Sequence, residues 1–339
     1  MVKVDRSAIM SRVMRKRRKK IADSRPRPAG ELLDEIASLI AGGSNVLFVT
    51  GAGISVSAGI PAFRTGVDAV WTQTVVEMGT RKALRKDPVH WYETFWLPTF
   101  ECGRLRNARR TRAHDALGAI ATLAPEVKVV TQNVDGLHVG SVPDMQLVEA
   151  HGRSGLFRCA MFGSATGGRS RCSLKTATTE WYETAELEAE DRAVVDAATQ
   201  DRAVAVARCP RCPRCGAALA PLSLLFDENY DAHFFFEADA WDGWLDDADA
   251  IVFAGTSFAV QMTREALRRA KEADVTVYNL NLEEPPTEVA HAACLRHNSA
   301  LLPCDASFPR LRDLVEAKLE AAGLAKPPPK PPKEGSDSD

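Results

Sequence analysis

Long apolar runs are missing from this 339-residue chain. No stretch approaches the roughly 18 consecutive apolar residues that cross a bilayer, so no transmembrane helix and no membrane partner are expected. No apolar h-region follows the basic residues near the start, so no secretory leader is expected either. An excess of charge of one sign is also missing. The formal net charge is -2, which argues against the molecule as a whole being a polyanion binder or a sequence-specific nucleic-acid reader. No internal repeat is present. Two glycine-rich nucleotide signatures are incomplete. After Gly51 and Gly53 the next glycine is Gly59, not the third glycine of G-x-G-x-x-G, and no Gly-Lys-Ser/Thr follows. The first absence argues against a hydride-transferring dehydrogenase, the second against a P-loop.

What is present reads as an α/β chain. Hydrophobic residues make up 45 %, enough for a substantial core. Residues 1–28 are basic, include Arg15 to Lys20 in "RKRRKK", and read as a mobile arm. Besides a solvated tail, that block has two readings, a nuclear localisation signal or a phosphate-contacting arm, so the expected location is nuclear or cytoplasmic. "ELLDEIASLIAGG" has helical spacing and stops on glycines. Buried strands are expected at "NVLFVT", "VKVVT", "AIVFAG" and "VTVYNL", with helices at "AHDALGAIATLA", "MTREALRRAKEA" and "FPRLRDLVEAKLEAAG". Apolar strands alternating with amphipathic helices predict a doubly wound, Rossmann-like parallel sheet covered on both faces, with ligands at the carboxyl ends of the strands. Residues 65–110 carry no clean period and read as a partly helical, partly loop segment of a smaller domain. Residues 319–339 are proline-rich and polar and are expected to be disordered.

Eight cysteines in a chain with no expected secretory leader point to metal binding rather than disulfides. Cys209, Cys212 and Cys215 form a double CxxC, with Cys159 and Cys172 upstream. That supply of thiolates suits one structural, tetrahedral zinc in a small domain. The glycine run "VTGAGISVSAGIPAFR", residues 49–64, follows a strand directly. Two readings are open for it: a tight strand-to-helix turn, or a cradle whose N–H groups meet a phosphate. His151 follows the apolar "MQLVEA" and precedes Gly152, which places an imidazole able to be neutral and basic at another strand end.

These stretches share one further property. "GAGISVSAGIPAFR", "AHDAL" (113–117), "TQNVDGLH" (131–138), "VEAHG" (148–152), "CPRCGAALAP" (212–221), "GTS" (255–257), "NLE" (281–283) and "LLPCD" (301–305) occur in the order of the motifs of the sirtuins, the NAD-dependent protein deacylases. The resemblance covers about residues 31–315. It implies a Rossmann-like NAD-binding domain at 29–150 and 222–318, and a zinc-binding module with an acidic insert at 151–221. It also implies an NAD-binding set of Gly51, Ala52, Gly53, Ser55, Phe63, Arg64, Gln132, Asn133, Asp135, Gly255, Thr256, Ser257, Asn281, Glu283 and Cys304. Arg64 would pair with phosphate or ribose oxygens. Gln132 and Asn133 would position the nicotinamide ribose, and Asp135 would help bind the nicotinamide group. His151 would act as the base, with Asn133 and Asp135 completing the catalytic set.

The implied reaction moves the acyl group of an acyl-lysine protein, histones among the implied partners, onto ADP-ribose. It releases nicotinamide and consumes NAD as a co-substrate; no hydride is transferred. The peptide would enter as an extra strand between "SLLFDEN" and "GTSFAV", touching Phe226, Asp227, Glu228, Phe258 and Val260. Asp227 stands where the family usually has glycine and is expected to place a charge beside the peptide. The register of "CPRCG" fixes Cys212 and Cys215; with Cys159 and Cys172 they make the implied zinc set, with Cys209 as the alternative to Cys172. Two other function classes fit the same residues. One is an ADP-ribosyltransferase or NAD glycohydrolase on the same scaffold; the other is a non-catalytic scaffold that binds NAD or acyl-peptide.

Overall fold

The structure, a computed structural model of the chain, describes residues 26–60, 73–100, 107–160, 181–183, 217–289 and 297–324. In chain order the elements begin with α1 (Ala29–Ala41), β1 (Val46–Thr50), a 3-10 turn (Ala52–Ala58), α2 (Gln73–Met78) and α3 (Arg81–Lys86). There follow α4 (Pro88–Trp91), a π-helical turn (Tyr92–Trp96), α5 (Leu97–Phe100), α6 (Arg112–Leu123), β2 (Lys128–Thr131) and β3 (Leu147–Glu149). Next come β4 (Gly152–Cys159), β5 (Trp181–Glu183), β6 (Leu219–Ser223), α7 (Ala238–Asp246) and β7 (Ala250–Ala254). The last four are α8 (Gln261–Ala273), β8 (Thr276–Asn281), β9 (Ser299–Leu301) and α9 (Cys304–Ala321).

Six strands form one parallel sheet in the order β3-β2-β1-β7-β8-β9. The order reverses at β1, whose neighbours are β2 and β7, and this is the place where an open α/β sheet leaves a crevice at its carboxyl edge. The central strands are buried on both faces, which is why β1 reads as an unbroken apolar run. Alternate residues serve opposite cores. Val46 and Phe48 pack with α1, α6 and α9, whereas Leu47 and Val49 pack with α7 and α8. α1 buries Leu32, Leu33, Ile36, Ala37 and Ile40, a helical stripe, and ends at Gly42 with Gly43 in the left-handed region. α6 starts with a capping box in which Thr111 and His114 satisfy each other's backbone N–H groups. α9 begins at Cys304, earlier than the phenylalanine at which the sequence pattern starts it.

A second core lies beside this sheet. β5-β4-β6 is an antiparallel sheet. Its inner residues Phe157, Cys159, Leu219 and Ala220 pack with Leu84, Trp91, Tyr92, Phe95 and Trp96 of the helical segment. Residues 73–100 are largely helical. Trp91, Tyr92, Phe95 and Trp96 are all buried and share one helical face, with Glu93 and the exposed Thr94 turned away from it. The Tyr92 hydroxyl donates to the Leu219 carbonyl at 2.8 Å, tying helix to sheet. Among the described residues no helix is long and apolar enough to cross a membrane.

Candidate active site

The loops after β1 and β7 touch backbone to backbone. A Cβ on Gly53 would lie 2.6 Å from the Gly255 Cα, and one on Gly51 would lie 2.8 Å from the Gly255 carbonyl oxygen. Gly255 itself has φ +60° and faces Gly53 and the Ile54 nitrogen. Only glycine tolerates these approaches without movement. Gly51 N–H donates to Ala254 O (3.0 Å) and Gly53 N–H to Gly255 O (2.8 Å). The N–H groups of Gly51 and Gly53 are thus committed to the neighbouring loop, not left open for an anion. The glycines clamp two strand ends together, and Ala52 begins the 3-10 turn between them.

A polar cluster sits on this clamp. Ser55, fully buried, donates its hydroxyl to Asp135 Oδ2 at 2.6 Å. The Asn133 amide donates to Gly51 O (3.1 Å) and to Ser55 Oγ (3.2 Å). Asp135 Oδ1 accepts the Leu137 N–H at 3.0 Å. His114 Nε2 lies 3.5 Å from Ser55 Oγ, and its ring centroid lies 4.7 Å from that of His138. His138 bonds Thr50 Oγ1 at 3.0 Å. Burial lowers the pKa of His114, partly offset by Asp135 and Asp305, and burial holds His138 well below the usual imidazole range. Both rings are neutral at neutral pH. His114 was not among the expected site residues; its place in "AHDAL" was the only sequence signal, and that motif read as a helix.

The adjoining loops extend the crevice. Gln132 Nε2 reaches Thr256 Oγ1 at 3.4 Å, and Asn281 Nδ2 donates to Thr256 O at 3.1 Å. Ser257 and Glu283 are exposed, and Cys304 is buried with its thiol pushed up to about 12 by burial first and then by Asp305. Asp305 accepts from the Ala113 N–H and from the Ser57 hydroxyl, closing the ring of contacts between α6, α9 and the turn.

His151 follows β3 directly. Its Nε2 lies 3.1 Å from the Tyr230 hydroxyl, and the two rings stack with centroids 5.8 Å apart. Burial pushes the His151 imidazole down to about 4, against a hydrogen bond to the Gln132 backbone that pulls the other way. The ring is a neutral base at pH 7. Tyr230 lies 79 positions away, in a stretch without periodicity, and nothing in the sequence singled it out.

The segments expected to flank a peptide are not strands here. β6 ends at Ser223, and residues 224–229 form a loop. Phe258 has φ +59° and packs on Phe253, which breaks any strand through "GTSFAV". Val260 caps α8. Phe226 is 46 % exposed and lies over Gly79. Asp227, expected to place a charge beside the peptide, accepts the Arg81 N–H (2.6 Å) and the Lys82 N–H (3.1 Å) at the start of α3. Glu228 is buried. It pairs with Arg81 at 3.2 Å and with Arg158, and accepts the Leu225 N–H. A carboxylate bound in this way is not free for a ligand.

Phe63, Arg64, Cys172, Cys209, Cys212 and Cys215 lie outside the described residues. Of the expected zinc ligands only Cys159 is described, buried at the end of β4. No group of three or more His, Cys, Asp or Glu among the described residues could hold a metal ion.

Comparison with known proteins gives these contacts a context. Residues 51–262 match the model of the Sir2 family. The chain is 34 % identical over 249 residues to the NAD-dependent deacetylase sir2E of Dictyostelium discoideum, covering 73 % of this chain and 68 % of that one. It is 28 % identical over 254 residues to an NAD-dependent protein deacylase of Pyrococcus abyssi, covering 75 % and 88 %. In fold it resembles a Sir2 homolog–NAD complex at a TM-score of 0.60 and 23 % identity, over 86 % of this chain and 94 % of that one. The glycine clamp, the Ser55–Asn133–Asp135 cluster and His151 all fall within the matched span: the chain belongs to the Sir2 family.

Proposed function

We propose that this protein is an NAD-dependent protein-lysine deacylase, with NAD as co-substrate and acyl-lysine proteins, histones among them, as acceptors of its action. The observation that carries the reading is the meeting of Ser55, Asn133 and Asp135 over the Gly51–Gly255 clamp, with His151 one strand away. The ends of β2, β3 and β8 supply amides, a carboxylate and a neutral imidazole to one crevice, and the crevice floor is glycine where any Cβ would intrude. This donor set fits a dinucleotide. The Gln132 and Asn133 amides suit ribose hydroxyls, Asp135 suits a carboxamide, and Thr256 and Asn281 extend the polar wall. Phe63 and Arg64 belong to the same proposal through the motif they end.

When bound, NAD supplies an electrophilic sugar carbon and a leaving nicotinamide. The protein's work is positional: it aligns groups and keeps water from a cationic sugar. His151 takes a proton from a sugar hydroxyl. Its depressed pKa keeps it unprotonated and ready across the neutral range. Ser55 orients Asp135, and Asn133 ties Ser55 to the clamp. Structural zinc is proposed on Cys159, Cys212, Cys215 and either Cys172 or Cys209. Metal content of Cys172→Ser against Cys209→Ser identifies the fourth ligand, since only loss of a ligand lowers bound zinc.

The protein is to be mixed with NAD and an acetyl-lysine histone peptide, and peptide mass and nicotinamide followed together. The reading predicts deacylated peptide and nicotinamide in equal amounts. Nicotinamide release without peptide would instead mark an NAD glycohydrolase or ADP-ribosyltransferase, and NAD binding with neither product a non-catalytic scaffold.

A further inference from the structure

A neutral imidazole has one N–H and one lone pair, so its two partners fix which nitrogen is the base. For His151 one partner is the Gln132 backbone, which favours the protonated ring as a carbonyl acceptor does. The other is the Tyr230 hydroxyl, 3.1 Å from Nε2. The phenol is itself oriented. Burial disfavours the ionised phenol, and the Met262 backbone, in the first turn of α8, favours it as a nearby N–H does. The Tyr230 ring is held edge to face by Trp241, with centroids 5.4 Å apart. A phenol beside a backbone donor has its own hydrogen left to give, and His151 Nε2 is the acceptor within reach.

We propose that Tyr230 is a positioning residue of this site, donating its hydroxyl hydrogen to His151 Nε2 and locking the ring as the Nδ1–H tautomer with its basic lone pair on Nε2. The inference rests on the reading of His151 as the base. It adds a residue that the sirtuin motifs do not contain, since Tyr230 lies beyond "FDE". Two consequences follow. The lone pair is shielded until a sugar hydroxyl takes the phenol's place, so an empty site does not hold an open base. The tautomer is set before binding, so no ring flip is needed during turnover. Charged neighbours do not substitute for this device: Glu149 and Arg153, on β3 and β4 beside His151, pair with each other.

The test is nitrogen-15 NMR of the full chain labelled at histidine, with His151→Ala used to assign the signal. The expected result is a neutral Nδ1–H ring at pH 7. Tyr230→Phe keeps the aromatic packing but removes the donor, and is expected to raise the His151 titration midpoint while the Gln132 backbone still favours Nδ1–H and the other histidines stay unmoved. An Nε2–H ring in the unaltered protein would overturn the proposal, and so would a Tyr230→Phe protein with an unchanged His151 midpoint. The first result needs no variant, so a misfolded Tyr230→Phe protein leaves the question decided. Neither NAD nor peptide is needed, so failure here is distinct from failure of the deacylation assay.

Discussion

Ser55 illustrates how much one small side chain does in this site. Its hydroxyl is fully buried, donates to Asp135 and accepts from Asn133, so it joins the turn after β1 to the end of β2. A hydrogen bond to a charged group contributes about 1.5–3 kcal/mol. Ser55→Ala is therefore expected to weaken NAD binding by about tenfold or more, read by calorimetric titration, while far-ultraviolet circular dichroism stays unchanged. The histidines make a second prediction at this scale. The folded-state pKa is pushed down by burial to about 4 for His151 and about 3 for His233. The unfolded chain has the ordinary value of about 6.5. Between these limits the unfolded state binds more protons, so stability rises with pH. The stabilisation is present in full above about 6.5 and is lost as pH falls toward 4. The melting temperature should drop by several degrees between pH 7 and pH 5, before most carboxylates titrate. A flat melting temperature across that window would contradict the buried, neutral state of these rings.

At the scale of elements, the loop after β6 is the joint between the helical segment and the small sheet. Asp227 caps α3, and Glu228 sits between Arg81 of α3 and Arg158 of β4. Burial, then the neighbouring Arg158, brings the Arg81 guanidinium down to about 10, still charged at neutral pH. Removing the shared carboxylate leaves two buried cations facing each other. Glu228→Ala is expected to cost about 3–5 kcal/mol, whereas Asp227→Ala, which loses a partly exposed cap, should cost about 1 kcal/mol. Urea denaturation followed by tryptophan fluorescence reads both, because Trp91 and Trp96 lie in the core these elements share. Equal effects of the two substitutions would contradict the burial of Glu228. These same elements were the least legible in the sequence. Antiparallel β4 and β6 pair residues far apart in the chain, and the helical segment from Gln73 to Phe100 is broken into short pieces, one of them a π-helical turn. Neither leaves a local period long enough to read.

For the whole molecule, legibility follows the sheet. The parallel strands are short apolar runs between amphipathic helices, and that alternation announced a doubly wound fold and the carboxyl-edge crevice. Ser55, Asn133, Asp135 and His151 were visible because each sits in a motif at a strand end. Tyr230, Arg81 and the real attachment of Asp227 were not, because each acts on a partner that only the tertiary fold brings near. The glycines were recognised, but their reason lay in the contact between the β1 and β7 loops, which no local pattern encodes. The central claim is that strand ends far apart in sequence converge to hold a dinucleotide and aim one imidazole at its sugar. His151→Ala tests this most directly, with NAD affinity by calorimetry measured beside deacylation of an acetyl-lysine peptide. The account predicts that affinity stays within about threefold while turnover falls by at least 10²–10⁴; unchanged turnover, or affinity lost in step with it, would contradict the assignment.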